Sequence, residues 1–110
     1  MRLFVFGLFL LNLLLGIQDA YAGTEFTMSE MEWDSDHYGS DLDNKGLDLI
    51  TSDPTLCEDA CAKNPKCMAW TYIKPNTVQG PRARCWLKHS IPPRQPNPNT
   101  VTGYKILKKG

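Results

Sequence analysis

Four cysteines carry the clearest chemistry in this sequence: Cys57, Cys61, Cys67 and Cys85, all within CEDACAKNPKCMAWTYIKPNTVQGPRARC. Thiolates at such positions either ligate zinc or oxidise in pairs. Structural zinc sites offer ligands in close pairs, about two to four residues apart. Here three, five and seventeen residues intervene, with no second close pair, and His37 and His89 stand away from ligand spacing. Disulfides are therefore expected. Four cysteines allow three pairings. Cys57 with Cys61 is the poorest, because side chains one helical turn apart run parallel and do not converge on disulfide geometry. A nested arrangement (Cys57–Cys85, Cys61–Cys67) and a crossed one (Cys57–Cys67, Cys61–Cys85) remain. The turn at Asn64-Pro65, which returns Cys67 beside the helix's last turn, favours the nested form.

Other reactive groups are less well placed. His89 and Ser90 are neighbours, and adjacent strand residues point to opposite faces, so they make a poor base–nucleophile pair. Asp34, Asp36 and His37 lie close in sequence without a nucleophile among them. The segment DSDHYGSDLDNKG is rich in oxygen ligands, but read as a calcium loop from Asp34 it puts Tyr38 at the fifth position and Lys45 at the twelfth, where carboxylates belong. No glycine-rich phosphate loop or metal signature occurs. The sequence predicts no catalysis, no metal and no cofactor.

The elements that position these residues follow from local signals. Residues 1–22 read as a signal peptide: Arg2, the apolar run Leu3–Ile17, then Ala20-Tyr21-Ala22 before Gly23. The apolar run is short for a membrane span and none follows it, so the mature chain is expected to be secreted, to periplasm or medium, without a span. Residues 23–32 read as a flexible leader, 33–106 as one domain and 107–110 as a basic tail. A mature chain of 88 residues buries little more than about 60% of its unfolded surface, so its thin core calls for staples.

Asp53 before Pro54 signals a helix start, with Glu58 and Asp59 expected in its early part and Leu56 and Ala60 as an apolar pair beside the cysteines. Pro65 ends the helix near Lys63. Met31–Trp33 is expected to open a first strand with Trp33 in the core. Alternation counted from Cys67 puts Ala69, Thr71 and Ile73 toward the helix and Trp70 and Tyr72 away from it. In the run from Cys85, Cys85 and Leu87 face the helix while Trp86 and Lys88 face away. The connection 74–84 is long and carries Arg82 and Arg84. Ile91–Asn99, with four prolines, is expected to be extended and irregular, and Val101–Ile106 to be a closing strand. The fold class is α+β: a small disulfide-stapled domain with an antiparallel sheet packed against one short helix.

GSDL (39–42), DPTLCEDACAKNPKCMAWTYIKP (53–75), RCWLKHSIPP (84–93) and TGYK (102–105) resemble the PAN/Apple domain, in the short form of bacterial secreted proteins. The resemblance spans about Trp33–Lys105. It implies a curved antiparallel sheet cradling one helix, with nested core disulfides that carry onto Cys57–Cys85 and Cys61–Cys67. The third bridge of larger Apple domains has no cysteines here. The resemblance also implies binding of protein or carbohydrate, without catalysis, and transfers no ligand residue.

Net charge is zero, but eleven acids and one base lie between Gly23 and Asp59, and ten bases with no acid between Ala60 and Gly110. Either the charges polarise a surface that steers a partner, or the halves interleave and pair. Nucleic acid is not an expected partner of an exported, neutral protein. The expected function is a secreted binding module for protein or carbohydrate, with Trp70, Tyr72, Trp86, Arg82, Arg84 and Lys88 as candidate ligand contacts. The alternative is an inhibitor or regulator of a hydrolase that inserts the 74–84 loop into its partner's cleft.

Overall fold

One helix, held by its caps and by two cysteines, sets the frame. In the computed structural model the described residues are 25–109, so the expected signal peptide and Gly110 lie outside them. Helix α1 (Pro54–Lys63) starts where the sequence signals it: the Asp53 carboxylate accepts from the Thr55 amide at 2.9 Å and Pro54 fills the first turn. Asn64, in extended conformation, donates its amide to Cys61 O and ends the helix before Pro65. The first turn holds no acid, so Glu58 and Asp59 fall beyond the helix's positive end. Glu58 instead has its carboxyl pushed upward, by burial first and then by the Asp59 charge. The buried residues of α1 are Cys57 and Cys61; Leu56, expected beside them, is 40% exposed.

The strands are β1 (Phe26–Met28), β2 (Glu32–Asp36), β3 (Leu47–Asp48), β4 (Ala69–Ile73), β5 (Arg84–Lys88) and β6 (Gln95–Leu107). The chain divides into two units. The smaller holds Glu25–Thr27 with Leu107–Lys109 among the described residues. In it the Lys108 amide donates to Glu25 O at 3.0 Å. Part of the segment expected as a leader is thus strand, and Leu107 ends β6.

The larger unit, Met28–Ile106, contains the helix and a curled antiparallel sheet in the order β6-β4-β5-β3, with β2 also on β6. Both disulfides are nested. Cys57–Cys85 fastens α1 to β5 (Cα–Cα 5.3 Å) and Cys61–Cys67 fastens its last turn to the chain entering β4 (5.2 Å). The fold is therefore α+β with disulfide staples.

The core is Trp70, Tyr72, Val101 and Ala83 gathered around the four half-cystines. This reverses the expected phase of β4. A bend at Met68 separates Cys67 from the strand, which starts at Ala69. Counting by twos from Cys67 therefore crosses a residue that is not extended, and Trp70 and Tyr72 arrive on the helix side. Tyr72 pairs in register with Cys85, the half-cystine bound to α1. The register opposite, Ala69 with Lys88 and Thr71 with Trp86, makes the far face.

Trp70 is fully buried, and its ring lies where Gly103 pairs with it. A Cβ at Gly103 would stand 2.8 Å from three indole atoms, which accounts for a glycine inside a strand. The Trp70 Nε1–H is buried without a partner among the described residues.

Two edge features also depart from expectation. Asp34 takes φ +54° in β2, a left-handed conformation that aspartate tolerates, and the register with β6 slips between Trp33 and Ser35. Trp33, at this irregularity, is 59% exposed instead of buried in the core. The proline-rich stretch from Gln95 onward is extended as expected, but as the first half of β6, with Pro96 opposite Ser35.

Candidate functional site

The far face of the sheet carries a groove of about 250 Å³, bounded by Asp36, Tyr38, Asp41, Thr71, Val78 and Trp86, with Gln79, Lys88 and Asn97 beside them. Its floor is set by strand register. Thr71 and Trp86 are a cross-strand pair of β4 and β5, so both side chains emerge on this face. β2 ends at Asp36, and the Thr71 hydroxyl donates to Asp36 Oδ1 at 2.8 Å. Asp36 is 6% exposed. Among the described residues no donor reaches its Oδ2. That oxygen is not sealed from solvent, and Asp36 is one of the residues that line the groove.

Lys88 lies at the other side of the floor and is almost fully buried. Its ammonium donates to Asp41 Oδ1 at 2.7 Å and to Gly39 O at 3.0 Å, which ties down the loop that carries Tyr38. Lys88, a candidate ligand contact from the sequence, is buried in the groove lining, and these two oxygens replace its water.

The walls come from loops. Tyr38 is 75% exposed and Val78 71%. The 74–84 connection is no free flap: Asn76 (φ +58°) and Gly80 (φ +102°) shape a turn closed by the Asn76 amide on Gly80 O at 3.0 Å. Gln79 Oε1 accepts from Trp86 Nε1 at 2.9 Å, so this turn forms one wall. The Arg84 guanidinium stands 5.7 Å from the Trp86 ring centroid, at cation–π distance. It also donates to Asp48 Oδ1 at 2.5 Å and to Lys45 O.

The candidate contacts named from sequence therefore separate. Trp86 lines the groove, Arg84 braces it from outside and Lys88 underpins it; Arg82 is exposed on the loop away from its lining. Trp70 and Tyr72 belong to the core on the helix side. The Tyr72 phenol is pushed upward, chiefly by burial. Asp36, Tyr38 and Thr71 are the residues that sequence reasoning missed. Asp36 and Tyr38 sit in a stretch whose Asp, Ser and Gly content reads as turn, and Thr71 was given to the wrong face by the phase error at Met68.

A second, larger hollow of about 450 Å³ lies along Ser29–Trp33, with Arg94, Tyr104 and Ile106. Its inner carboxylate is already occupied. Glu32 Oε1 meets His37 Nε2 at 2.7 Å, and Oε2 accepts from Arg94 at 3.0 Å. His37 is buried, with Nδ1 2.5 Å from Pro92 O and its ring edge-on to Tyr104. These polar groups satisfy one another, whereas the smaller groove keeps an open carboxylate oxygen.

Residues 35–88 match the family described as the PAN domain. The matched span includes all four cysteines, α1, β4 and β5. No curated protein and no solved structure matches the chain.

Proposed function

Because the chain belongs to the PAN domain family through residues 35–88, we propose that it is a secreted, non-catalytic recognition module whose protein or carbohydrate ligand sits in the far-face groove. PAN domains are in general modules that bind protein or carbohydrate. Two disulfides and the absence of any free cysteine among the described residues suit an oxidising compartment. Among those residues no helix is long and apolar enough to cross a membrane.

The observation that carries the reading is one concavity with aromatic walls, Tyr38 and Trp86, over a floor of buried polar groups. Aromatic walls supply contact area at little conformational cost, and fixed polar groups supply orientation. The test is binding of the full chain, exported so that both bridges form, to a glycan array and to immobilised secreted proteins. Tyr38→Ala and Trp86→Ala are expected to weaken whatever binds by tenfold or more. Unchanged binding by both variants would remove the groove from consideration.

A second reading has its own support. Val78 stands 71% exposed on the closed turn of the 74–84 connection, shaped like a segment for insertion into a cleft. A hydrolase held one-to-one and released by Val78→Asp, but not by Tyr38→Ala, would favour the inhibitor.

A further inference from the structure

The groove holds a charge that its own surroundings do not balance. Two carboxylates, Asp36 and Asp41, face it, and so does one ammonium, Lys88. Lys88 is committed to Asp41 and to Gly39 O. Arg84, behind Trp86, is committed to Asp48. Asp36 is left with a single hydroxyl donor, takes part in no ion pair among the described residues, and is 94% buried by its 6% exposure. A carboxylate removed from water to this extent is costly without an opposite charge. Asp36 shares the lining of the groove with Tyr38 and Trp86, and Ile73 and Val78 add apolar residues to it.

From this geometry we infer that the groove receives the cationic side chain of a partner protein, the alkylammonium of a lysine or the alkylguanidinium of an arginine. The inference rests on the groove being the recognition site. The aliphatic stem packs on Ile73 and Val78, the charged head passes the electron-rich ring faces, and it ends on Asp36 Oδ2. Size agrees: about 250 Å³ is smaller than the roughly 300–1,000 Å³ of sites for drug-sized molecules and suits one extended side chain. The highly exposed Tyr38 and Val78 at the rim offer contact area to the backbone that carries it. A metal ion is a poorer occupant, since among the described residues no three His, Cys, Asp or Glu side chains converge.

The experiment is a heteronuclear NMR titration of the full, oxidised chain with four probes: Nα-acetyl-lysine methylamide, its arginine counterpart, the lysine probe acetylated at Nε, and neutral methyl glycosides. The expected result is saturable shifts at Asp36, Tyr38 and Trp86 with the lysine or arginine probe, the tighter of the two identifying the head group. Nε-acetylation is expected to weaken binding at least tenfold. Asp36→Asn, which keeps an acceptor for Thr71, is expected to do the same, and Tyr38→Ala, at an exposed position, provides an independent check. Equal binding of the acetylated probe, or an Asp36→Asn variant that binds like the parent, would overturn the inference. Shifts at these residues with glycosides alone would also overturn it while leaving the recognition groove in place. If no probe shifts these residues, and Tyr38→Ala and Trp86→Ala retain every partner found by pull-down, both the inference and the groove fail.

Discussion

At the scale of single residues, a hydrogen at Gly103 is what lets the Trp70 ring pack close against β6 in the core of half-cystines. Gly103→Ala would push a methyl into a fully buried indole with nowhere to retreat, a case of overpacking worth about 1–3 kcal/mol. Urea unfolding followed by far-ultraviolet dichroism checks this, and a loss below about 0.5 kcal/mol would mean that the two strands can part. Lys88 supports a second expectation. Asp41→Ala strands an ammonium that is 3% exposed. Breaking a buried pair costs about 3–5 kcal/mol, but Asp41 is itself partly exposed and the Gly39 carbonyl remains, so a loss of about 2 kcal/mol is expected in the same assay. The burial of Lys88 is not legible in the sequence, because lysine on a half-exposed strand is usually solvated. Its oxygens come from Gly39 and Asp41, nearly fifty residues away in the chain, and no local pattern announces them.

At the scale of elements, the helix was legible because its boundaries are local chemistry: Asp53 and Pro54 start it and Pro65 stops it. The phase of β4 was not, since one bent residue at Met68 shifts every side chain after it to the other face. The fold class and the nested bridges were legible; the groove was not, because its residues come from five separate segments that only the fold brings together. Helix α1 buries little besides its cysteines, so the bridges should dominate its attachment. On the chain-entropy model the loop of 28 residues closed by Cys57–Cys85 contributes about 3.6 kcal/mol and the loop of 6 closed by Cys61–Cys67 about 2.2. Replacing each pair by serines and measuring unfolding in urea should reproduce that order. The N-cap gives a pH-dependent expectation. The Asp53 carboxyl is held below 3.8 by its hydrogen bonds with Thr55. Its stabilisation is therefore fully present above pH 3.8 and fades as pH falls through the lowered value. Asp53→Ala should lower Tm at pH 6, with the gap from the parent closing toward pH 2. Asp53→Asn should keep most of the cap and lose this pH dependence.

At the scale of the whole molecule, about half of the lopsided charge of the sequence is met by pairing between its halves. Asp34 with Lys74, Asp41 with Lys88, Asp48 with Arg84, Glu32 with Arg94 and Glu25 with Lys108 each join the acidic first half to the basic second half. Apart from Lys88, Glu32 and Arg84, these partners keep substantial exposure, and pairs with an exposed member contribute about 0–1 kcal/mol each. Stability should therefore fall only modestly between 0.05 and 1 M sodium chloride, by less than about 2 kcal/mol in total. A larger fall would mean that the pairs act as one network.

The three tryptophans fall into three surroundings: Trp70 sealed in the core, Trp86 at the groove with its N–H on Gln79, and Trp33 open on the edge of β2. The molecule thus carries its own optical reporters. Emission from Trp70 should be blue and shielded from iodide, that from Trp33 red and readily quenched. An occupant of the groove should change the light of Trp86 alone, so recognition can be followed without a label, and loosening of the core can be read separately in the same spectrum.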